Sequence, residues 1–530
     1  MTPLATLALT RGIARLLERF DNGPGATVGV VQDGALAVHR SAGLASLELG
    51  VPIGPETAFR VASVTKQFTC AAILMLADEG RLRLDDDARL HLPELPDMGA
   101  PVTVAHLMRN TSGIRDMLGI QRMGGADLGQ PVRPDQLMDG ILRQRTLNFT
   151  PGSRFLYSNS NFLLLGRIVE RLSNEPLAAV LDRRLLTPAG MTRSRLVEQV
   201  TAVVPGLATG YLQRDGAWVR APHAFPLHGE GGLVSCVEDL ALWNRWLDAT
   251  PALAAALAQE TPFTNGHPSL YAHGQVVRDY RGVPTIGHGG LWPGYRTEFL
   301  RVPGEGLAVI AISNRGDTDT SLLAHQVLDL TLDGRPGAAP APASPAAAVT
   351  APLAGRWLDR DAGATLDITP TEDGNTAFTT YGLSFVPSVQ PDGRLGTVRG
   401  MTPFALRPND AGTLEVEMDA GHAATYHRVP DGPALPDGLA GAYRSDELAA
   451  TWTLAISETG LQVTTRGPVV SGGPWRIEAI EGDVIRIHVP DILFPSWLDA
   501  SVLRGGTGRV EGLSVSGGRV KDVLFRRVAA

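Results

Sequence analysis

Ser63 and Lys66 stand three residues apart in Ser63-Val-Thr-Lys66, at the head of an apolar run through Phe68, Ala71, Ala72, Leu74 and Leu76 that ends at Gly80. On a helix, positions i and i+3 share a face, so a hydroxyl and an amine at this spacing can meet. A serine beside an amine able to take its proton is an activated nucleophile. A helix N-terminus also favours the negative charge that develops when the serine attacks a carbonyl. Composition adds weight to Lys66. Of 47 basic residues only Lys66 and Lys521 are lysines; the rest are arginines. Guanidinium stays charged, so arginine cannot replace lysine where a base is needed. As a bare pattern, Ser63 also fits an ordinary helix cap.

Two further segments carry groups of the same kind. Tyr157-Ser-Asn159 follows the turn Thr150-Pro-Gly-Ser153 and precedes an apolar run from Phe162 to Leu172. A phenol can relay a proton and a carboxamide can hold a substrate amide, and short loops ahead of helices are where such groups are presented. Gly287-His-Gly-Gly-Leu-Trp-Pro-Gly-Tyr-Arg296 is rich in glycine, which lets a ligand backbone approach a strand edge. There Gly290 gives room, Leu291 offers a backbone N–H opposite that of Ser63, and His288 is a donor near the base. Singly, these segments also read as a core tyrosine beside a cap and a glycine-rich turn with a structural histidine.

The elements that must position these groups are mixed. Thr27–Val31 and Leu36–His39 read as a hairpin around Gln32-Asp-Gly34, residues 1–20 as an amphipathic helix, and Leu307–Ile312 as a buried strand. Ser235-Cys-Val-Glu238 has capping-box spacing before a helix. Residues 336–352 are nearly all Ala and Pro and read as a stiff linker. Beyond it the apolar period falls to two, as in Thr365–Thr369, Thr413–Glu417 and Val484–His488. Leu353-Ala-Gly-Arg-Trp357 recurs 86 residues later as Leu439-Ala-Gly-Ala-Tyr443, which points to two copies of one antiparallel β module, closed as barrels. The division expected is 1–335, a linker over 336–352, and β modules over 353–432 and 439–530.

The net charge of −8 and the lack of a basic run speak against nucleic-acid binding. No apolar run reaches transmembrane length, and Met1-Thr-Pro-Leu has no basic leader, so a cytoplasmic protein is expected. Two cysteines do not make a disulfide framework, and 12 histidines without His-Glu-x-x-His spacing imply no metal; no cofactor is implied either.

Ser63-x-x-Lys66, Tyr157-Ser-Asn159 and His288-Gly-Gly290, in this order, resemble the penicillin-recognising serine hydrolases, a family that includes β-lactamases, DD-peptidases and D-aminopeptidases. His106-Leu-Met-Arg-Asn-Thr-Ser-Gly113 and Gly231–Leu240 look similar as well, and the likeness spans about residues 10–330. It implies an α/β (α+β) catalytic domain with an antiparallel sheet and a helical cluster. His-x-Gly in place of Lys-Thr-Gly, followed by two β-barrel domains, looks like the D-aminopeptidase branch. The implied activity is removal of N-terminal D-residues from short peptides or amides through a serine acyl-enzyme, by a homodimer. Ser63 would be nucleophile, Lys66 base, Tyr157 the proton relay, with Asn159 on the substrate amide. In that branch a loop of the third domain reaches the active site. His488–Trp497 is the candidate here, with Asp491 as the acid for the substrate ammonium. A DD-carboxypeptidase, β-lactamase or esterase on the same residues, or a non-catalytic binding protein, are the alternatives.

Overall fold

The computed structural model describes residues 3–127, 129–333, 337–372, 374–419, 421–492 and 496–528. Its centre is a six-stranded antiparallel sheet. In chain order the strands are β1 (Ala26–Gln32), β2 (Ala35–Ala42), β3 (Val276–Tyr280), β4 (Val283–Trp292), β5 (Tyr295–Val302) and β6 (Leu307–Ser313), and in space they run β3-β4-β5-β6-β1-β2. Both ends of the chain segment therefore meet in the middle, with Ala26 to Gln32 paired against Ser313 to Leu307. The hairpin read at Gln32-Asp-Gly34 is there, with Asp33 and Gly34 both at positive φ (52° and 76°), the conformation that suits a two-residue turn. One sheet face is covered by α1 (Pro3–Leu17) and a helix at Thr320–Leu332, which share a core with Val28, Val30 and Val309. The other face carries α2 (Thr65–Asp78), α3 (Met117–Met123) and α4 (Asn159–Ser173), the helical cluster that holds the site.

The capping box expected at Ser235–Glu238 does not form. The helix starts at Val237 without a side-chain cap, because the Ser235 hydroxyl is engaged with Ser194 instead, 2.8 Å away.

Beyond the linker lie two β modules. Nine strands between Gly355 and Arg428 form a half-barrel sheet, and eight strands from Gly441–Ser445 to Val523–Val528 form a closed barrel. The sequence repeat has a structural counterpart. Trp357 Nε1 donates to the Leu353 carbonyl at 2.8 Å, and Tyr443 Oη donates to the Leu439 carbonyl at 2.7 Å. Gly355 and Gly441 both hold a positive φ (133° and 147°), with Arg428 and Arg527 packed over them.

The modules interlock. Ile120 and Met123 of α3 are part of the barrel's own core, and barrel Trp452 donates to the Met123 carbonyl at 2.9 Å. Arg486, 1% exposed, ties the barrel to Asp367 of the half-barrel at 2.6 Å. The Ala/Pro segment is itself held: Ala339 bonds Arg281 of the catalytic sheet, and Ala343 accepts from Val389.

Candidate active site

The local chain path explains how Ser63 is presented. A 3₁₀ turn, Ala62–Val64, precedes α2, and Ala62 sits at φ +47°, a strained position for a residue with a Cβ. The turn is braced by Thr65, which donates to the Ala62 carbonyl (2.6 Å) and accepts from Leu233 N (3.0 Å). One turn on, Lys66 is fully buried, and its ammonium nitrogen lies 3.1 Å from Ser63 Oγ, 2.9 Å from Asn159 Oδ1 and 2.6 Å from the Glu230 carbonyl. The last two partners can only accept. A neutral amine has two hydrogens and one lone pair. With its hydrogens on Asn159 and Glu230, the lone pair faces Ser63. Burial brings the Lys66 pKa down to about 7, against the opposing pull of Glu230 and with help from the nearby Arg519 cation.

Asn159 is held for this task. Its backbone N and its Nδ2 both donate to Asp116 Oδ2, at 2.7 and 2.9 Å, which turns Oδ1 toward Lys66. Asp116 also caps α3 through Leu118 N and Gly119 N. Asn110, at φ 55°, receives Ser158 N and Asn161 Nδ2, so the Asn110-Thr-Ser-Gly113 segment fixes the Tyr157-Ser-Asn159 loop from behind.

Tyr157 is buried, with Lys66 Nζ 4.8 Å and Arg519 Cζ 4.5 Å from its ring centroid. Its hydroxyl has no hydrogen-bond partner of good geometry among the described residues. Burial pushes its pKa well up, against the pull of Arg519 and the Ser63 hydroxyl, so it is a protonated phenol at neutral pH.

His288 differs from the expectation of a donor beside the base. Its Nε2 pairs with the Tyr271 hydroxyl at 2.9 Å and its Nδ1 with the Gly289 carbonyl at 2.5 Å. A carbonyl only accepts, so Nδ1 carries the proton and Nε2 accepts from Tyr271. Burial holds the ring neutral, with a pKa lowered to about 3. His288 thus supports Tyr271 and packs 6.0 Å from the Tyr157 ring, and it has no N–H left to give.

The strand edge is where the glycines matter. Pairing of β3 with β4 stops at Gly287, so residues 288–292 of β4 have an open edge toward Ser63. A Cβ on Gly290 would lie 2.2 Å from the Val61 carbonyl oxygen. Trp292 and Tyr295 close a two-residue turn, which makes Leu291–Arg296 a non-hydrogen-bonded pair and turns the Leu291 N–H away from β5, to the open edge. That N–H and the Ser63 N–H can serve one oxyanion.

These groups open on a cleft of about 1480 Å³ lined by all three modules, including His288, Tyr381 and Arg519. Asp491 is not among its lining residues. Its carboxylate pairs with Arg122, which spends the charge on an internal ion pair. Leu493, Phe494 and Pro495 of the expected wall lie outside the described residues. A different barrel loop reaches the cleft: Gly517–Lys521, between β7 (Val510–Ser516) and β8 (Val523–Val528). The Arg519 carbonyl accepts from Asp116 N and Asn148 Nδ2, both at 3.3 Å, and Lys521 N donates to Asn148 Oδ1 at 2.8 Å. Lys521 is half-buried against the Tyr381 ring, 4.1 Å away, with a pKa lowered by desolvation to about 8.

Sequence reasoning missed Asp116, Glu230 and Arg519. Lys521 carried a signal, being the other lysine in the chain. Glu170, Glu198 and His228 also come together, near α2, but as an ion triad: His228 Nε2 is 3.2 and 3.0 Å from the two carboxylates. Although burial opposes it, the pair lifts the imidazole pKa to about 9.

This fold, with an activated serine at the start of a helix beside an antiparallel sheet, defines a penicillin-recognising serine hydrolase. Residues 13–332 match the family described as Beta-lactamase, and the chain belongs to that family. It is 28% identical over 539 residues to a D-aminopeptidase of Brucella anthropi, covering 100% of both chains. It is 30% identical over 373 residues to a D-aminopeptidase of Gluconobacter oxydans, 69% of each. Among solved structures, the octameric penicillin-binding protein homologue from Pyrococcus abyssi superposes with a TM-score of 0.57 at 22% identity, covering 80% of this chain and 99% of that one. The D-amino acid amidase from Ochrobactrum anthropi SV3 superposes with a TM-score of 0.54 at 21% identity, covering 62% of this chain and 99% of that one. Among the described residues no helix is long and apolar enough to cross a membrane.

Proposed function

We propose that this chain is a D-stereospecific aminopeptidase that releases N-terminal D-residues from short peptides and amides. The observation that carries this reading is the buried Lys66, set between two acceptors with its lone pair on Ser63, in a chain that aligns end to end with a D-aminopeptidase. Neutral Lys66 takes the Ser63 proton as the Oγ–C bond forms, and the Ser63 and Leu291 N–H groups hold the oxyanion. The C–N bond then breaks. Tyr157 gives its proton to the leaving nitrogen and recovers one from the Lys66 ammonium. Water adds to the ester by the reverse relay, releasing the D-residue and restoring Ser63–OH. Asn159 keeps Lys66 aimed and can meet the substrate amide.

The test is hydrolysis of D-Ala and L-Ala p-nitroanilides beside an N-blocked D-Ala-D-Ala peptide. The reading requires turnover of the D-anilide with kcat/KM at least about a hundredfold above the L-form, a ratio within reach of a shaped pocket. Preferential cleavage of the blocked peptide would replace the aminopeptidase with a carboxypeptidase.

A further inference from the structure

Arg519 is the residue of the barrel loop that stands over the chemistry. Its guanidinium carbon is 4.5 Å from the centroid of the Tyr157 ring, and its side chain is 33% exposed. Its charge pulls down the pKa of Lys66, Tyr157 and His288, and of Arg122 and Tyr271 as well. Among the described residues, no hydrogen bond from the guanidinium to a protein acceptor closes. The nearest acid is Asp116, whose Oδ2 is 3.9 Å from Arg519 Nη1, but that oxygen already receives both Asn159 donors. Two neighbouring cations are occupied elsewhere: Arg122 pairs with Asp491, and Lys521 lies on Tyr381 near Asp499 and Asp522.

A part-exposed guanidinium whose nearest acid is already engaged keeps its donors available to an incoming anion, which is how a charged pocket selects its ligand. The loop holds it in place. Its backbone is bonded to Asp116 and Asn148, and Gly119 leaves so little room under Val520 that a Cβ would come within 2.5 Å of its methyl.

Position says which part of the substrate the anion belongs to. The leaving nitrogen must lie at Tyr157, which protonates it. In a dipeptide that nitrogen is one carbon from a free carboxylate, and the cation on the Tyr157 ring is Arg519. A guanidinium fork matches a carboxylate in two parallel hydrogen bonds. Resting on the aminopeptidase reading, we infer that Arg519 binds the free C-terminal carboxylate of the residue that leaves, so that the enzyme takes dipeptides with a free acid in preference to amides.

The experiment compares D-Ala-Gly with D-Ala-glycinamide, which differ only in that charge, using the full chain, with D-Ala p-nitroanilide as a third substrate. Wild type is expected to favour D-Ala-Gly at least about tenfold in kcat/KM, the scale of one charge-assisted pair. In Arg519→Gln the ratio should fall to near one, chiefly through KM for D-Ala-Gly, and Arg519→Lys should restore part of it. Arg519→Gln keeps the carbonyl that anchors the loop, and its melting temperature checks that the fold is retained. A ratio near one in wild type, or a ratio unmoved by Arg519→Gln, overturns the inference while D-Ala p-nitroanilide turnover keeps the aminopeptidase standing. No turnover of any D-alanyl substrate overturns both.

Discussion

At the scale of single residues, the argument turns on the protonation of Lys66. An amine with a pKa near 7 is half neutral at neutral pH, whereas an ordinary lysine is charged there. The base must be neutral to accept the Ser63 proton, so kcat should rise with pH through about 7 and be lost in acid, as Lys66 takes up a proton. Lys66→Arg keeps the charge and removes the base. It should cost kcat about as much as Ser63→Ala, roughly 10³-fold or more, with the circular dichroism spectrum unchanged in both. An active Lys66→Arg enzyme would reduce position 66 to a cation. Ser63, Lys66, Tyr157 and Asn159 could be singled out from type and spacing, and they do lie together in the fold. Asp116 and Glu230 could not be, since each acts only through the fold: one by aiming a carboxamide, the other by offering its carbonyl to Lys66. His288 was legible as a residue and misread as a role, because nothing in the sequence shows that Tyr271 and Gly289 occupy both its nitrogens.

Among the elements, the open edge of β4 and the barrel loop set the geometry. Gly290 has ordinary backbone angles available to it, so its requirement is for space against Val61. Gly290→Ala should push the strand from the Ser63 turn and displace the Leu291 N–H. A fall in kcat of about 10²-fold is expected, with KM less affected, read from steady-state kinetics on D-Ala p-nitroanilide. Near-native kcat would mean that Leu291 contributes no oxyanion donor. The hairpins and alternating strands were readable from periodicity and turn residues. Of the stretch sought at 488–497, Trp497 lines the cleft and Asp491 does not, and the loop 517–521 lines it as well. Prolines and large apolar residues marked the first as a wall, while the second is short and glycine-led, and it shows its part only once the barrel is docked.

For the whole molecule, the Ala/Pro composition of residues 336–352 suggests separable units. What it could not reveal is that α3 inserts Ile120 and Met123 into the barrel core. A chain ending at residue 335 would leave those side chains in water and lose the loop over Tyr157. It should be poorly soluble and retain under about a tenth of wild-type kcat/KM. A soluble 1–335 fragment with full activity on every substrate tried would show the β modules to be dispensable.

The placement of the two lysines has a practical side. An arginine-coated surface offers acylating and alkylating reagents almost no ε-amine to attack. The two that exist are one in the cleft wall and one beneath its floor, with pKa values lowered to about 8 and 7, so they are far better nucleophiles at neutral pH than surface lysines elsewhere. An amine-directed reagent small enough to enter would therefore find its ε-amine targets at the active site.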